Sequence, residues 1–114
     1  VDSVFRRSSL YRFNRKNPVI MRQEPKVGID NDCSERFTVI DVFATDTQGL
    51  LYTLAHTLFN HGLTVHLARI ATNIDQVVDV FYVLDEHQRK LEDPERLEKL
   101  KSSLLKEIKE LSGA

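Results

Sequence analysis

Residues 37–60 read FTVIDVFATDTQGLLYTLAHTLFN, and this stretch decides the fold. Its opening run, Phe37 to Ala44, is dominated by Thr, Val, Ile and Phe, residues that suit a pleated strand. Asp46-Thr47-Gln48-Gly49 has the chemistry of a turn, and Asp46 or Thr47 supplies the oxygen that caps a helix. From there to about Asn60, Leu51, Leu54, Ala55 and Leu58 recur at helical spacing, and Leu50 and Phe59 widen the stripe. Gly62 follows in the position beyond a helix end where a positive φ is wanted. Strand, turn and helix therefore succeed one another within 24 residues.

Working outward, Lys26 to Asn31 reads as a short strand bounded by Pro25 and a polar cluster, and the short loop to Phe37 predicts an antiparallel hairpin. Downstream, Leu63 to Thr72 and Val77 to Leu84 are two further strands joined by a tight polar turn, Asn73 to Gln76. Matching charges and apolar pairs predicts a register with Arg69 opposite Asp79, Leu67 opposite Phe81 and Val65 opposite Val83. A final helix starts with Asp93 as cap and Pro94 at its first position, and buries Leu97, Leu100, Leu104, Ile108 and Leu111. The order ββαββα predicts an α+β, ferredoxin-like sandwich lacking its usual last strand. The strand at Lys26 takes that edge position from the N-terminal side, giving a four-stranded antiparallel sheet with two helices on one face.

The central strands are apolar on both sides, whereas a solvated sheet face alternates to polar residues. The expected grouping puts Ile40, Val42, Ala68, Ile70, Val78 and Val80 on one face. Val39, Phe43, Val65, Leu67, Phe81 and Val83 then form the other, with Asp41, Arg69 and Asp79 among them. A face this apolar implies a partner. The predicted interface is Val39, Asp41, Phe43, Val65, Leu67, Arg69, Asp79 and Phe81, meeting a second copy or a sister domain. The competing cover is the apolar part of residues 1–24 folding back.

The chain has 114 residues, a 41% hydrophobic and 29% charged composition, and a net charge of −1. That suits one ordinary domain. Residues 1–24 carry a net +4 and residues 25–114 a net −5, so the division is a basic linker or arm over 1–24 and a domain over 25–114. No nucleic-acid motif accompanies the basic residues, so nucleic acid is not an expected partner. No apolar run approaches the roughly 18 residues of a membrane span and no signal-peptide pattern occurs, so the expectation is a cytoplasmic chain with no membrane partner. The start at Val1 suggests a piece of something longer or a processed terminus.

At Asp46-Thr47-Gln48-Gly49-Leu50-Leu51, the pattern D-x-x-G-L-L at a strand-to-helix turn within β-α-β-β-α resembles ACT domains, small regulatory modules that often bind amino acids. Val27-Gly28-Ile29-Asp30-Asn31, Phe37 to Val42, His66 to Thr72 and Val77 to Val83 resemble the C-terminal ACT domains of bacterial [protein-PII] uridylyltransferase/uridylyl-removing enzymes. The likeness covers about residues 25–111. It implies a nitrogen-status sensor that responds to glutamine and controls attached catalytic domains, with no chemistry performed by this chain itself. The family's usual turn carries Arg-Pro where this chain has Thr47-Gln48.

The candidate ligand-binding residues are Asp46, Thr47, Gln48, Gly49, Leu50 and Leu51. Free N–H groups at a helix start suit an amino-acid carboxylate, Asp46 suits its ammonium and Gln48 suits a side-chain amide. The plain alternative is a cap plus a glycine needed for packing, in a module that only associates and binds nothing. No catalytic, cofactor or metal site is expected. His56 and His61 do not share a helix face, His66 and His87 lie elsewhere, and Cys33 has no assured histidine partner. Asp41 and Asp79 are read as structural partners of Arg69 rather than as a pair of acid/base carboxylates.

Overall fold

The computed structural model describes residues 24–73 and 76–111. The basic arm, apart from Glu24, and residues 74 and 75 of the strand-to-strand turn lie outside them. The elements are β1 (Lys26–Asp30), β2 (Thr38–Thr45), α1 (Leu50–Asn60), β3 (Thr64–Asn73), β4 (Gln76–Leu84) and α2 (Pro94–Leu111). The sheet has the order β1-β2-β4-β3, and every neighbouring pair is antiparallel. The edge strand beside β2 is indeed β1, supplied from the N-terminal side. Both helices pack on one face, over Val27, Ile40, Val42, Ala44, Phe81 and Val83.

Helix ends follow local chemistry. Past α1, Gly62 takes φ 79°. Its N–H donates to the carbonyl of Phe59 (3.0 Å) and that of Leu63 to Leu58 (3.1 Å), the paired bonds of a Schellman closure. Arg96 of α2 adds a cation there, donating to the carbonyl of His61 (3.0 Å) while gripping Glu86 with two bonds of 3.1 Å. At the start of α2, the Asp93 carboxylate accepts the Glu95 N–H at 3.1 Å, as a cap should. The buried stripe of α1 is Leu50, Leu54, Thr57 and Leu58. Leu51 and Ala55 are exposed instead, because the helix begins at Leu50 and the i, i+4, i+8 series from that residue faces the sheet.

The β3–β4 register differs from the expected one by one residue over most of its length. Arg69 pairs with Val80, Ile70 with Asp79, Ala68 with Phe81 and Leu67 with Tyr82. Asn73 pairs with Gln76, so the turn spans two residues rather than three. A register shift between Val65 and Leu67 restores the expected Val65–Val83 pair, as a bulge that adds one residue to one strand does. The extra residue, His66, sets its ring 5.4 Å from that of Phe37.

The shift redistributes the faces, since side chains alternate with a period of two. Phe81 and Val83 belong to the helix-side core with Ile40 and Val42, whereas Val78 and Val80 join Val39, Phe43 and Tyr82 in a second cluster behind the sheet. Two transverse rows summarise this. Val27, Val42, Asp79 and Ile70 line up on the helix face, and Gly28, Asp41, Val80 and Arg69 on the other. Asp41 and Asp79 therefore lie on opposite faces and cannot act as paired carboxylates. Arg69 shares its face with Asp41, not Asp79. The second cluster is buried, with Cys33 and Phe37 packed against it. The exposed apolar surface of the sheet sits instead on β3, at Val65 (37%), Leu67 (46%) and Ile70 (52%).

Candidate functional site

β2 leaves the sheet at Thr45, and the chain must turn over the sheet edge to begin α1. Thr47 carries this turn. Its carbonyl accepts the Leu50 N–H (3.0 Å) and its hydroxyl donates to the Thr45 carbonyl (3.1 Å). Gly49 is the residue before the helix and takes φ 84°, the left-handed region where a side chain costs roughly 1–2 kcal/mol. A Cβ there would meet only Leu111 Cδ1, at 4.0 Å. Backbone conformation, not crowding, therefore requires the glycine. Neither Asp46 nor Thr47 caps the helix, and no side chain among the described residues does so. The Thr53 N–H donates to the Gly49 carbonyl (2.9 Å), so in this first turn the N–H groups of Leu51 and Tyr52 have no intrahelical acceptor.

A cavity of about 230 Å³ opens beside this helix start. Asp46, Thr47, Gly49, Leu50 and Leu51 line it, and Gln48, although in the same loop, does not. Tyr52 of α1, Ile70 and Thr72 of β3, and Val77 and Asp79 of β4 complete the wall. The volume is below the roughly 300–1,000 Å³ of sites for drug-sized ligands, which suits a smaller molecule. The cavity reaches β3, the edge strand of the sheet among the described residues, through Ile70 and Thr72.

Asp79 was expected behind the sheet, but lies on this wall. It is only 2% exposed. Among the described residues its Oδ1 has no hydrogen-bond partner. Burial, and secondarily the negative charge of Asp46, push its carboxyl up to about 6. The sequence signal for Asp79 was present as a charge in the helix-facing alternation Val77, Asp79, Phe81, Val83. It became readable only once the face was known.

A larger groove of about 480 Å³ runs between α1 and α2, past Tyr52, His56, Asn60, Ser103 and Glu107. It holds the stacked rings of Tyr52 and His56, 5.6 Å apart. It has no buried unpartnered group, so the smaller cavity is the better candidate. Among the described residues, no three His, Cys, Asp or Glu side chains converge as metal ligands, and no helix is long and apolar enough to cross a membrane.

The family model described as "ACR9-like, ACT-like domain" matches residues 26–111. The chain is 48% identical over 82 residues to a bifunctional uridylyltransferase/uridylyl-removing enzyme of Zymomonas mobilis, covering 72% of this chain and 9% of that protein. An enzyme of the same description from Phenylobacterium zucineum is 42% identical over 81 residues, covering 71% and 9%. A Bradyrhizobium relative is 36% identical over 104 residues, covering 91% of this chain and 11% of its own length. The chain thus spans about a tenth of the length of the curated relatives it matches. No solved structure matches it.

Proposed function

The chain belongs to the ACT-like domain family, and from that premise we propose that it is the amino-acid-sensing module of a uridylyltransferase-type protein. In this reading, a small amino acid occupies the cavity at the start of α1. Its carboxylate faces the uncapped N–H groups, and Asp46 faces its ammonium. Glutamine is the first candidate, by likeness to the PII-modifying enzymes. A second copy, or a neighbouring domain of the same kind, pairs along β3 over Val65 and Leu67 and closes the cavity at Ile70 and Thr72. Ligand binding then favours one pairing geometry and biases attached catalytic domains, which is allosteric only because the ligand prefers that arrangement.

The observation that supports this reading most is the position of the cavity: its wall runs from the helix start to the exposed edge strand. One structure thereby brings together a ligand-sized space and a surface that needs a partner. The test is a thermal-shift screen of the twenty amino acids, followed by sedimentation. A ligand bound only by the folded form raises the melting temperature. The expected result is a rise with glutamine or another amino acid, a dimer in sedimentation, and a monomer for Leu67→Asp. A dimer whose melting temperature responds to none of the twenty would instead leave an association module with no ligand.

A further inference from the structure

Outside the turn itself, the feature that points most directly to a ligand is the Asp79 carboxylate. A carboxylate removed from water costs free energy unless it is paired or hydrogen-bonded. Asp79 is 2% exposed, its Oδ1 is without a hydrogen-bond partner among the described residues, and it lines the cavity at the start of α1. Asp46 lines the same space but is exposed, so solvent screens its charge. We propose that Asp79, more than Asp46, is the specificity-determining residue of this site and selects ligands that carry a free ammonium group. This rests on the amino-acid reading above and adds the group that decides which molecules enter.

The chemistry follows from charge and geometry. An ammonium against Asp79 converts an unpaired buried carboxylate into a charge-assisted hydrogen bond, among the stronger contacts in a protein. A ligand whose amine is acylated cannot make it. The titratable groups on the cavity wall are Asp79, Asp46 and Tyr52, so no cation among the described residues lines the space beside the carboxylate. Protonating Asp79 removes the attraction. Its carboxyl sits at about 6, so the affinity for an ammonium is highest above neutrality and falls about tenfold by pH 5.

The experiment is calorimetric titration of the chain with L-glutamine, or whichever amino acid the thermal screen selects, with its N-acetyl derivative, and with methylammonium. Each is run at pH 5 and pH 7.5 on the wild type, Asp79→Asn and Asp46→Asn. The expected result has three parts. The N-acetyl compound and Asp79→Asn each weaken binding at least about thirtyfold. Asp46→Asn weakens it only a few-fold, and the fall at pH 5 is absent in Asp79→Asn. Wild-type affinity in a folded Asp79→Asn protein, or equal binding of the N-acetyl form to the wild type, overturns the role of Asp79 and leaves amino-acid sensing intact. Binding of methylammonium to the wild type but not to Asp79→Asn, with no amino acid bound, supports Asp79 and overturns the amino-acid reading. No binding of any of these compounds overturns both. Because the N-acetyl comparison uses the wild-type chain, the test does not depend on the folding of a variant.

Discussion

At the end of the sheet where β2 begins, the polar groups are interlocked. The Thr38 hydroxyl donates to Asn31 Oδ1 (2.6 Å) and accepts the Leu91 N–H (2.9 Å). Asn31 Nδ2 donates to the Leu91 carbonyl (2.9 Å), and Lys90 to the Asn31 carbonyl (2.7 Å). Nearby, Asp85 accepts the N–H groups of His87 (2.8 Å) and Arg89 (2.9 Å). At the end where β2 finishes, the arrangement is opposite. An uncapped helix begins at a left-handed glycine, and a buried carboxylate faces an open cavity. Burial raises both aspartates, but at Asp85 the two N–H bonds outweigh it and the net shift is downward, whereas Asp79 rises to about 6. One end of the domain is finished as a scaffold. The other keeps polar capacity in reserve, as a binding site does.

Four substitutions break or sharpen that contrast. The largest effect is expected at the interlocked end. Thr38→Val orphans the buried Leu91 N–H and removes the donor to Asn31 Oδ1, and should cost about 2–3 kcal/mol in urea unfolding without changing ligand affinity. Next, Gly49→Ala forces a side chain into φ 84° and should cost roughly 1–2 kcal/mol, a loss that the 4.0 Å clearance to Leu111 does not explain by crowding.

The open end should respond in the other direction. The folded-state carboxyl of Asp79 lies near 6 against an ordinary 3.8, so the folded chain holds a proton that the unfolded chain has released. Stability from this group is full below about pH 4 and is lost as pH rises through about 6. Asp79→Asn should therefore raise stability by about 1 kcal/mol at pH 8, allowing for solvent in the cavity, and lose that advantage at pH 4. Melting curves at the two pH values decide this. The smallest effect is expected for Asp85→Ala. The folded-state pKa of Asp85 is lowered, so its contribution is present above the ordinary carboxylate range and lost on acidification. The group is near the surface, so the loss should stay below about 1 kcal/mol, and it should shrink in an acid melt.

The contrast also explains what could be read from residues alone. The caps at Asp93 and Gly62, the helix stripe of α2 and the five-residue edge strand β1 depend on neighbours within a few positions, and each appears where its chemistry put it. The Asp46 to Leu51 turn was legible for the same reason, although its cap was not. Gly49 occupies that position by its backbone conformation, and the helix starts later than Asp46 or Thr47 would have set it. The register of β3 was not legible, because a two-residue turn and a bulge at His66 act together. Either one displaces every side chain to the opposite face, and their combination returns Val65 to its expected partner.

Element order, the family and the turn at Asp46 to Leu51 were legible in the residues alone, because periodicity, caps and D-x-x-G-L-L are local patterns. Which face each strand residue occupies followed from strand pairing. That choice moved Phe81 into the helix-side core, separated Asp79 from Asp41 and Arg69, and set Asp79 against the cavity. A strand alternates faces with every residue, so one position of pairing, invisible in composition or spacing, separates a charge behind the sheet from one that lines the cavity.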